Sequence, residues 1–208
     1  MGFMILNWII ERTARMRLDE YVGKTVYAPL NLDRENGLFF VSLNREPAIK
    51  EFAATEYCNW RKMLLCGRVH DENAYAAGGV EGHAGLFGNA DTVFRLLSGF
   101  LSIYHKDAKP EVFRRELLRL FLTRHDPTER TLGFDTPSEK NSSAGKYFSK
   151  KSVGHLGFTG TSFWMDLKRS IIVILLTNRI HPSRKNERIR RFRPELHNAV
   201  MESLMKAY

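Results

Sequence analysis

A glycine-rich segment from Gly154 to Trp164 holds the residues best suited to catalysis. It begins Gly-His-Leu-Gly-Phe, so two glycines flank a histidine among strand-forming residues. A glycine in a strand lets a substrate backbone lie close, and an N–H just beyond it can donate to an oxyanion. The pattern predicts an acyl-transfer site with His155, Gly157 and Phe158 as catalytic candidates. The alternative is a glycine-rich strand with an ordinary histidine.

A second polar segment follows the next apolar stretch, over residues 177–184. Here Asn178 can donate a hydrogen bond, and Arg179 or Arg184 can pair with a carboxylate. Together with His181, they are candidates for substrate binding. A strand end with solvated arginines is the competing interpretation.

The third group of candidates lies upstream, just before four glycines between residues 78 and 85 that permit a tight loop beside a cleft. We expect His70, Asp71 and Asn73 to contribute to substrate binding. With His83, the first two also offer metal ligands, but their spacing fits no zinc motif, so no metal site is predicted. Histidines bonded to backbone or water are the simpler interpretation.

The segment from Gly154 to Trp164 resembles the third active-site motif of the serine β-lactamase and penicillin-binding family, in its H-x-G form where other members have K-T-G. By this resemblance, His155 takes the place of the basic residue, and the N–H of Phe158 that of the second oxyanion donor. The segment over residues 177–182 is similar to the one that recognises the substrate carboxylate in class C β-lactamases.

Upstream blocks extend the resemblance in the order that the family has them. Residues 55–61, 69–74 and 78–87 resemble segments of an esterase-like subgroup. The resemblance implies a serine hydrolase that works by acyl transfer, without a cofactor. Its substrate would be a small molecule or a peptidoglycan peptide: a β-lactam, a D-amino peptide or an ester.

Two motifs that the family needs have no counterpart in register, a Ser-x-x-Lys that supplies the nucleophile and a tyrosine motif that shuttles a proton. Ser143 and Ser203 each begin a Ser-x-x-Lys, and Tyr57 begins a Tyr-x-Asn, but patterns this short arise by chance. In the family, the tyrosine motif immediately precedes the helix that residues 2–6 resemble. We therefore expect a carboxy-terminal portion that lacks its nucleophile and is inactive as this chain.

Apolar periodicity and capping residues predict the main elements. Helices are expected over residues 3–10, 18–26 and 91–104, the last capped by Asn89, with two more opened by Pro110 and Pro194. Two antiparallel strands are expected over residues 155–166 and 171–176, with the second strand buried.

These elements predict an α+β fold of the β-lactamase/transpeptidase type, truncated at its amino terminus. We expect one partial domain over residues 1–208, with a helical, loop-rich lobe over 1–137 and the carboxy-terminal strands and helix over 138–208. In the family, further strands come from the amino-terminal segment, so apolar sheet surface is expected to be exposed. A homodimer or the missing amino-terminal segment would cover it.

Composition adds weaker constraints. No apolar run is long enough to span a membrane, and the opening residues lack the basic leader and cleavage site of a signal peptide. The compartment therefore stays open, since family members are often periplasmic or extracellular. The net charge of +9 attracts polyanions, but seven of the basic residues lie between Arg179 and Arg193, where a solvated face is the usual interpretation. No motif for a specific nucleic acid accompanies them.

Three functions remain in competition. The first is a serine hydrolase of the family above. The second is a non-catalytic module that binds cell-wall peptide or a partner chain. The third is a basic protein that binds polyanions, with an affinity that falls steeply as salt rises.

Overall fold

The structure is a computed structural model that describes residues 1–33, 37–44, 51–105 and 112–207. It contains helices and antiparallel strands, which confirms the α+β class. The chain divides into two units: residues 1–96 with 180–183, and residues 97–179 with 184–208. In the part of the chain that the structure describes, no helix has both the length and the apolar character needed to cross a bilayer.

The first unit is mainly helical. Its elements are α1 (Gly2–Ala14), α2 (Leu18–Val22) continued by a π-helical turn (Gly23–Tyr27), α3 (Glu72–Ala76) and the start of α4 (Ala90–His105). Two short antiparallel ladders join β1 (Phe39–Phe40) to β4 (Leu86–Phe87) and β2 (Tyr57–Cys58) to β3 (Met63–Leu64). Tyr27, Leu32 and Leu38 form its buried core. The helix predicted over residues 18–26 is thus present, with a wider last turn.

Helix α1 turns its apolar side chains outward. Asn7 is its buried residue, and the amide Nδ2 donates to Glu81 Oε2 at 3.2 Å. By contrast, Phe3, Leu6 and Ile9 are 45 %, 52 % and 55 % exposed. A helix of this composition normally buries its apolar stripe. The stripe of α1 is therefore available to a partner.

The second unit is built on a sheet of three antiparallel strands in the order β5-β6-β7: β5 (Ser152–Leu156), β6 (Ser162–Asp166) and β7 (Ile171–Leu175). Helices α5 (Arg115–Leu122) and α6 (Ile189–Ala207) belong to the same unit. The core contains Ala144, Phe148, Trp164, Val173 and Met201, so the loop before β5 and helix α6 both pack against the sheet.

The strand predicted over residues 155–166 is wrong, because the stretch forms two strands and a turn. Gly157 N–H donates to Thr161 O at 2.7 Å, and Gly160 N–H donates to Gly157 O at 3.1 Å, which reverses the chain. Gly160 has a φ of +119°, a conformation that side-chain-bearing residues rarely adopt. The predicted burial of the last strand is also only partial, since Val173 is buried and its four neighbours in β7 are half-buried.

Two predicted helix starts are also wrong. Helix α6 begins at Ile189, and Pro194 lies inside it. Pro194 costs the helix one hydrogen bond to the carbonyl of Arg190 but still fits its second turn. Helix α5 begins at Arg115, while Pro110 lies outside the described residues. The helix predicted over residues 91–104 is confirmed as α4, and Asn89 Oδ1 accepts from Thr92 N–H at 2.9 Å as its cap.

Candidate functional site

The turn after β5 is shaped by glycines that the fold itself requires. A Cβ on Gly157 would lie 2.1 Å from Thr161 Oγ1, and one on Gly154 would lie 2.4 Å from the Phe163 carbonyl. His155 stands between them on β5, opposite Phe163, and its side chain is exposed. Its Nδ1 donates to the Leu156 carbonyl at 3.1 Å.

The side chain of Arg179 fastens this turn. Its Nε donates to Phe158 O at 2.7 Å, and Nη1 donates to the carbonyls of Arg184 and Asn186 at 3.0 and 2.8 Å. The guanidinium also lies 4.5 Å from the centre of the Phe158 ring. Three carbonyls therefore occupy the side chain that the sequence assigns to a substrate carboxylate.

A cavity of about 300 Å³ opens beside the turn. Its lining residues are Leu156, Gly157, Phe158, Arg179, Glu187, Ile189, Arg190 and Arg193. Among the predicted site residues, Gly157, Phe158 and Arg179 thus share one wall. Arg184 adjoins it, with its guanidinium 5.9 Å from the Phe158 ring. Asn178 is half-buried beside Arg179 in the chain.

Arg193 is the residue of this site that the sequence analysis missed. It is 7 % exposed, and its Nη2 donates to Gly157 O at 2.8 Å and Thr161 O at 2.7 Å. Burial first, and then the charge of Arg179, lower the pKa of its guanidinium. The spacing by four of the buried residues Ile189, Arg193, His197 and Met201 on α6 is the signal that could have revealed it.

The remaining predicted residues lie in the first unit. His70 Nε2 donates to the Glu56 carboxylate at 2.9 Å, with both side chains buried. His181 Nδ1 donates to the adjacent Thr55 carbonyl at 2.7 Å. Asn73 is exposed on α3. The structure therefore brings His70 and His181 to neighbouring positions of one strand of chain and leaves Asn73 on the surface.

Asp71 is the amino-terminal cap of α3. Its Oδ1 accepts from Ala74 N–H at 2.8 Å and from His83 Nε2 at 3.0 Å. Burial would raise the pKa of this carboxyl, but these two hydrogen bonds outweigh it and hold the pKa below its usual value. His70 and His83 thus have separate carboxylate partners, and no group of three metal-ligating side chains occurs within the described ranges.

Arg61 organises this loop and was also missed from the sequence. Its Nη1 donates to Val69 O at 2.6 Å, and Nη2 donates to the carbonyls of His70 and Asp71 at 3.1 and 3.2 Å. The guanidinium stacks on Tyr75 at 3.9 Å from the ring centre. One cation therefore fixes the backbone that presents both candidate side chains.

The Ser-x-x-Lys sequences lie in settings that do not activate a serine. Ser143 is in the loop before β5, where its carbonyl accepts from His197 Nδ1 at 2.7 Å. Ser203 is on α6, and its Oγ donates to the Ala199 carbonyl at 3.0 Å rather than to a base. Lys206 is exposed one turn later.

The fold and these sites define a class of protein. The Beta-lactamase family model matches residues 1–197, and the chain belongs to this family of serine hydrolases and acyl transferases. Among curated proteins, it is 33 % identical over 203 residues to a Salmonella enteritidis PT4 protein provisionally named as a D-alanyl-D-alanine carboxypeptidase. The match covers 90 % of this chain and 46 % of that protein, so the chain spans about half the length of the curated relatives it matches.

Solved structures show the same fold. A β-lactamase from Mycobacterium bovis aligns with a TM-score of 0.61 at 17 % identity, over 97 % of this chain and 62 % of its own. Simvastatin synthase from Aspergillus terreus aligns with a TM-score of 0.62 at 14 % identity, over 95 % and 53 %. The predicted β-lactamase/transpeptidase-like fold is confirmed.

Proposed function

We propose that this chain supplies the substrate-positioning wall of a serine acyl-transfer enzyme. The observation that carries the proposal is the turn over residues 157–161, whose carbonyls are held by two arginines, Arg179 and Arg193. Donors that are fixed before the reaction stabilise a developing oxyanion without reorganisation. In this proposal, the Phe158 N–H donates to the oxyanion of the acyl intermediate, and His155 positions the substrate beside β5.

D-amino peptides, β-lactams and simple esters are the proposed substrates. The name of the Salmonella relative supports the peptide, and a peptide backbone suits the exposed side of β5 at His155. Asn178, Arg184 and His181, with His70, Asp71 and Asn73, are proposed as further substrate contacts. Because the chain matches about half of its relatives' length, the activity of the whole protein is part of the proposal.

The nucleophile is proposed to come from a polypeptide equivalent to the rest of the relatives' sequence. The settings of Ser143 and Ser203 support this, since neither hydroxyl donates to a base. The exposed stripe of Phe3, Leu6 and Ile9 on α1 offers that polypeptide an apolar contact. This is also the observation that favours the second candidate function, a binding module that completes a partner chain.

Intact-mass analysis with a chromogenic cephalosporin tests the proposal. The chain alone is expected to give neither turnover nor a covalent adduct. Co-expressed with the part of the Salmonella relative that lies outside the match, it is expected to co-purify and to allow an adduct on that partner. A stoichiometric adduct on Ser143 or Ser203 in the chain alone would overturn the proposed division of roles.

A matched pair of substitutions isolates the oxyanion donor in the co-expressed pair. Phe158→Pro deletes the backbone N–H, whereas Phe158→Ala keeps it and removes the ring. Loss of one such donor lowers kcat about 10²–10³-fold. We expect that loss for Phe158→Pro alone, and an equal loss in both variants would assign the effect to the ring.

A further inference from the structure

The cavity beside the β5 turn carries positive charge that the fold does not neutralise. Three of its lining residues are arginines, at positions 179, 190 and 193, and one is an acid, Glu187. Glu187 is paired with Arg190 at 3.0 Å. Across the described residues, the hydrogen bonds of Arg179 and Arg193 go to neutral carbonyls, and no carboxylate pairs with either. Two cationic charges therefore remain at this cavity.

Arg193 is the most deeply placed of these cations. More than nine-tenths of the residue is buried, and its Nε has no hydrogen-bond partner among the described residues. A buried guanidinium without a counter-charge is costly unless an anion compensates it. The neighbouring charge of Arg179 adds repulsion, as the lowered pKa of Arg193 indicates. Both features make this cavity favour a negatively charged occupant.

Helix α6 contributes a second source of positive potential. It is 19 residues long, and its first residue, Ile189, lines the cavity. The amino terminus of a helix carries a partial positive charge of about half an electron and unpaired N–H groups, which together favour anions. The helix end and the buried guanidinium thus act on the same space.

We infer that this cavity is a binding site for a small carboxylate or phosphate group, held by Arg193 and Arg190 at the start of α6. Arg193 contributes a fixed, buried charge, and Arg190 contributes an exposed side chain that can turn from Glu187 to the ligand. The volume of about 300 Å³ admits such a group together with a few attached atoms. Binding to the anion needs no catalysis and so stands apart from the proposed acyl transfer.

The anionic group can belong to an acyl substrate or to a free ion, and titration calorimetry on the whole chain separates the two. The probes are N-acetyl-D-alanine, its uncharged amide and inorganic phosphate. Binding of the carboxylate but not of the amide is expected, with one site per chain. Stronger binding of phosphate than of the carboxylate would assign the site to a free ion, while the substrate source rests on the proposed function. Absence of saturable binding for both anions at millimolar concentration would overturn the inference.

Three variants locate the site. Glu187→Gln removes the acid at the cavity and is expected to tighten anion binding about fivefold, a gain that unfolding cannot produce. Arg190→Gln is expected to weaken it by a similar factor. Arg188→Gln, an exposed cation on the adjoining turn that does not line the cavity, is the matched control and should leave the affinity unchanged. Equal weakening by Arg188→Gln and Arg190→Gln would show diffuse surface charge instead of a site.

Discussion

The Nη2 of Arg193 donates to the carbonyl oxygen of Gly157 at 2.8 Å, a contact that spans 36 residues. It joins the start of α6 to the turn that ends β5. The same nitrogen also reaches Thr161 O, on the other side of the turn. Because both ends of the turn share one donor, the geometry of the proposed oxyanion donor depends on where α6 begins.

Removing this donor tests that dependence. Arg193→Met keeps much of the buried volume but leaves two carbonyls without a partner, so the free energy of unfolding should fall by about 2–4 kcal/mol. Urea unfolding measures it. Arg188→Met, at an exposed position near the same helix end, should change stability by less than about 0.5 kcal/mol. Similar losses in both variants would contradict the assignment.

The turn also depends on Gly160. Its φ is +119°, and a Cβ would lie 2.8 Å from Arg179 N, so Gly160→Ala should lower the free energy of unfolding by about 2–4 kcal/mol. Gly99, in helix α4, has open space around its Cβ position. Gly99→Ala should therefore raise stability by about 0.5–1 kcal/mol. Thermal unfolding of both variants compares them directly, and a neutral Gly160→Ala would show that the turn tolerates another shape.

Asp166 closes the turn between β6 and β7. Its fully buried carboxylate accepts hydrogen bonds from Ser149, Lys168 and Arg169. Burial would raise the pKa of Asp166, but these donors outweigh it and lower the pKa. Asp166→Ala should cost about 3–5 kcal/mol, since the donors lose their acceptor.

The pKa shift of Asp166 also gives an acid dependence. A carboxyl whose pKa is lower in the folded than in the unfolded chain stabilises the fold above its ordinary pKa of 3.8 and loses that contribution as the pH falls through the folded pKa. Asp166→Asn keeps one acceptor oxygen and should remove this acid-induced loss. Urea midpoints at pH 6 and pH 3 compare it with the parent, and an equal loss in both would exclude Asp166 as its source.

His197 predicts a loss of stability in mild acid. Burial, together with the charge of Arg193, lowers its pKa below 6.5 against the opposing hydrogen bond to Ser143 O. The unfolded chain then binds more protons, so stability is complete above about pH 6.5 and falls below it by up to about 1.4 kcal/mol per pH unit. His197→Gln should flatten this slope between pH 8 and pH 5. Met201→Ala, in the same core, should lower stability equally at both pH values.

Arg61 tests the first unit. Lysine cannot reproduce its donations to three carbonyls or its stacking on Tyr75, so Arg61→Lys should destabilise the chain by about 2 kcal/mol. Arg95→Lys, at an exposed pair with Asp91, should cost less than about 0.5 kcal/mol. Hydrogen exchange of the amides over residues 69–74 should accelerate in the first variant alone. No acceleration would show that the loop keeps its shape without Arg61.

Local signals carried the predictions that the structure confirms. Apolar periodicity located α1, and Asn89 marked the start of α4, since capping acts within one turn. The grouping of Gly157, Phe158 and Arg179 was accessible for a similar reason, because a hairpin brings neighbouring strand ends together. The turn inside residues 155–166 escaped notice because Phe158 and Thr159 favour strands, and here the two glycines override that preference.

Distant contacts explain the rest. Arg193 was assigned to a solvated run of charge because its carbonyl partners lie 36 and 32 residues away. Pro194 was taken as a helix start on local preference, whereas the buried residues Ile189 and Arg193 extend α6 backwards. Arg61 likewise acts on carbonyls 8 to 10 residues ahead. Nothing in the local pattern of either arginine distinguishes it from a surface cation.

The outward stripe of α1 has a thermodynamic consequence for handling the chain. Apolar area in water costs about 25 cal/mol per Å², so Phe3, Leu6 and Ile9 form a reservoir of binding energy that a second molecule can release. Any surface that covers them, including a chromatography resin or a detergent micelle, will compete with the natural partner. The apparent oligomeric state of the purified chain should therefore vary with its concentration and with the surfactant in the buffer.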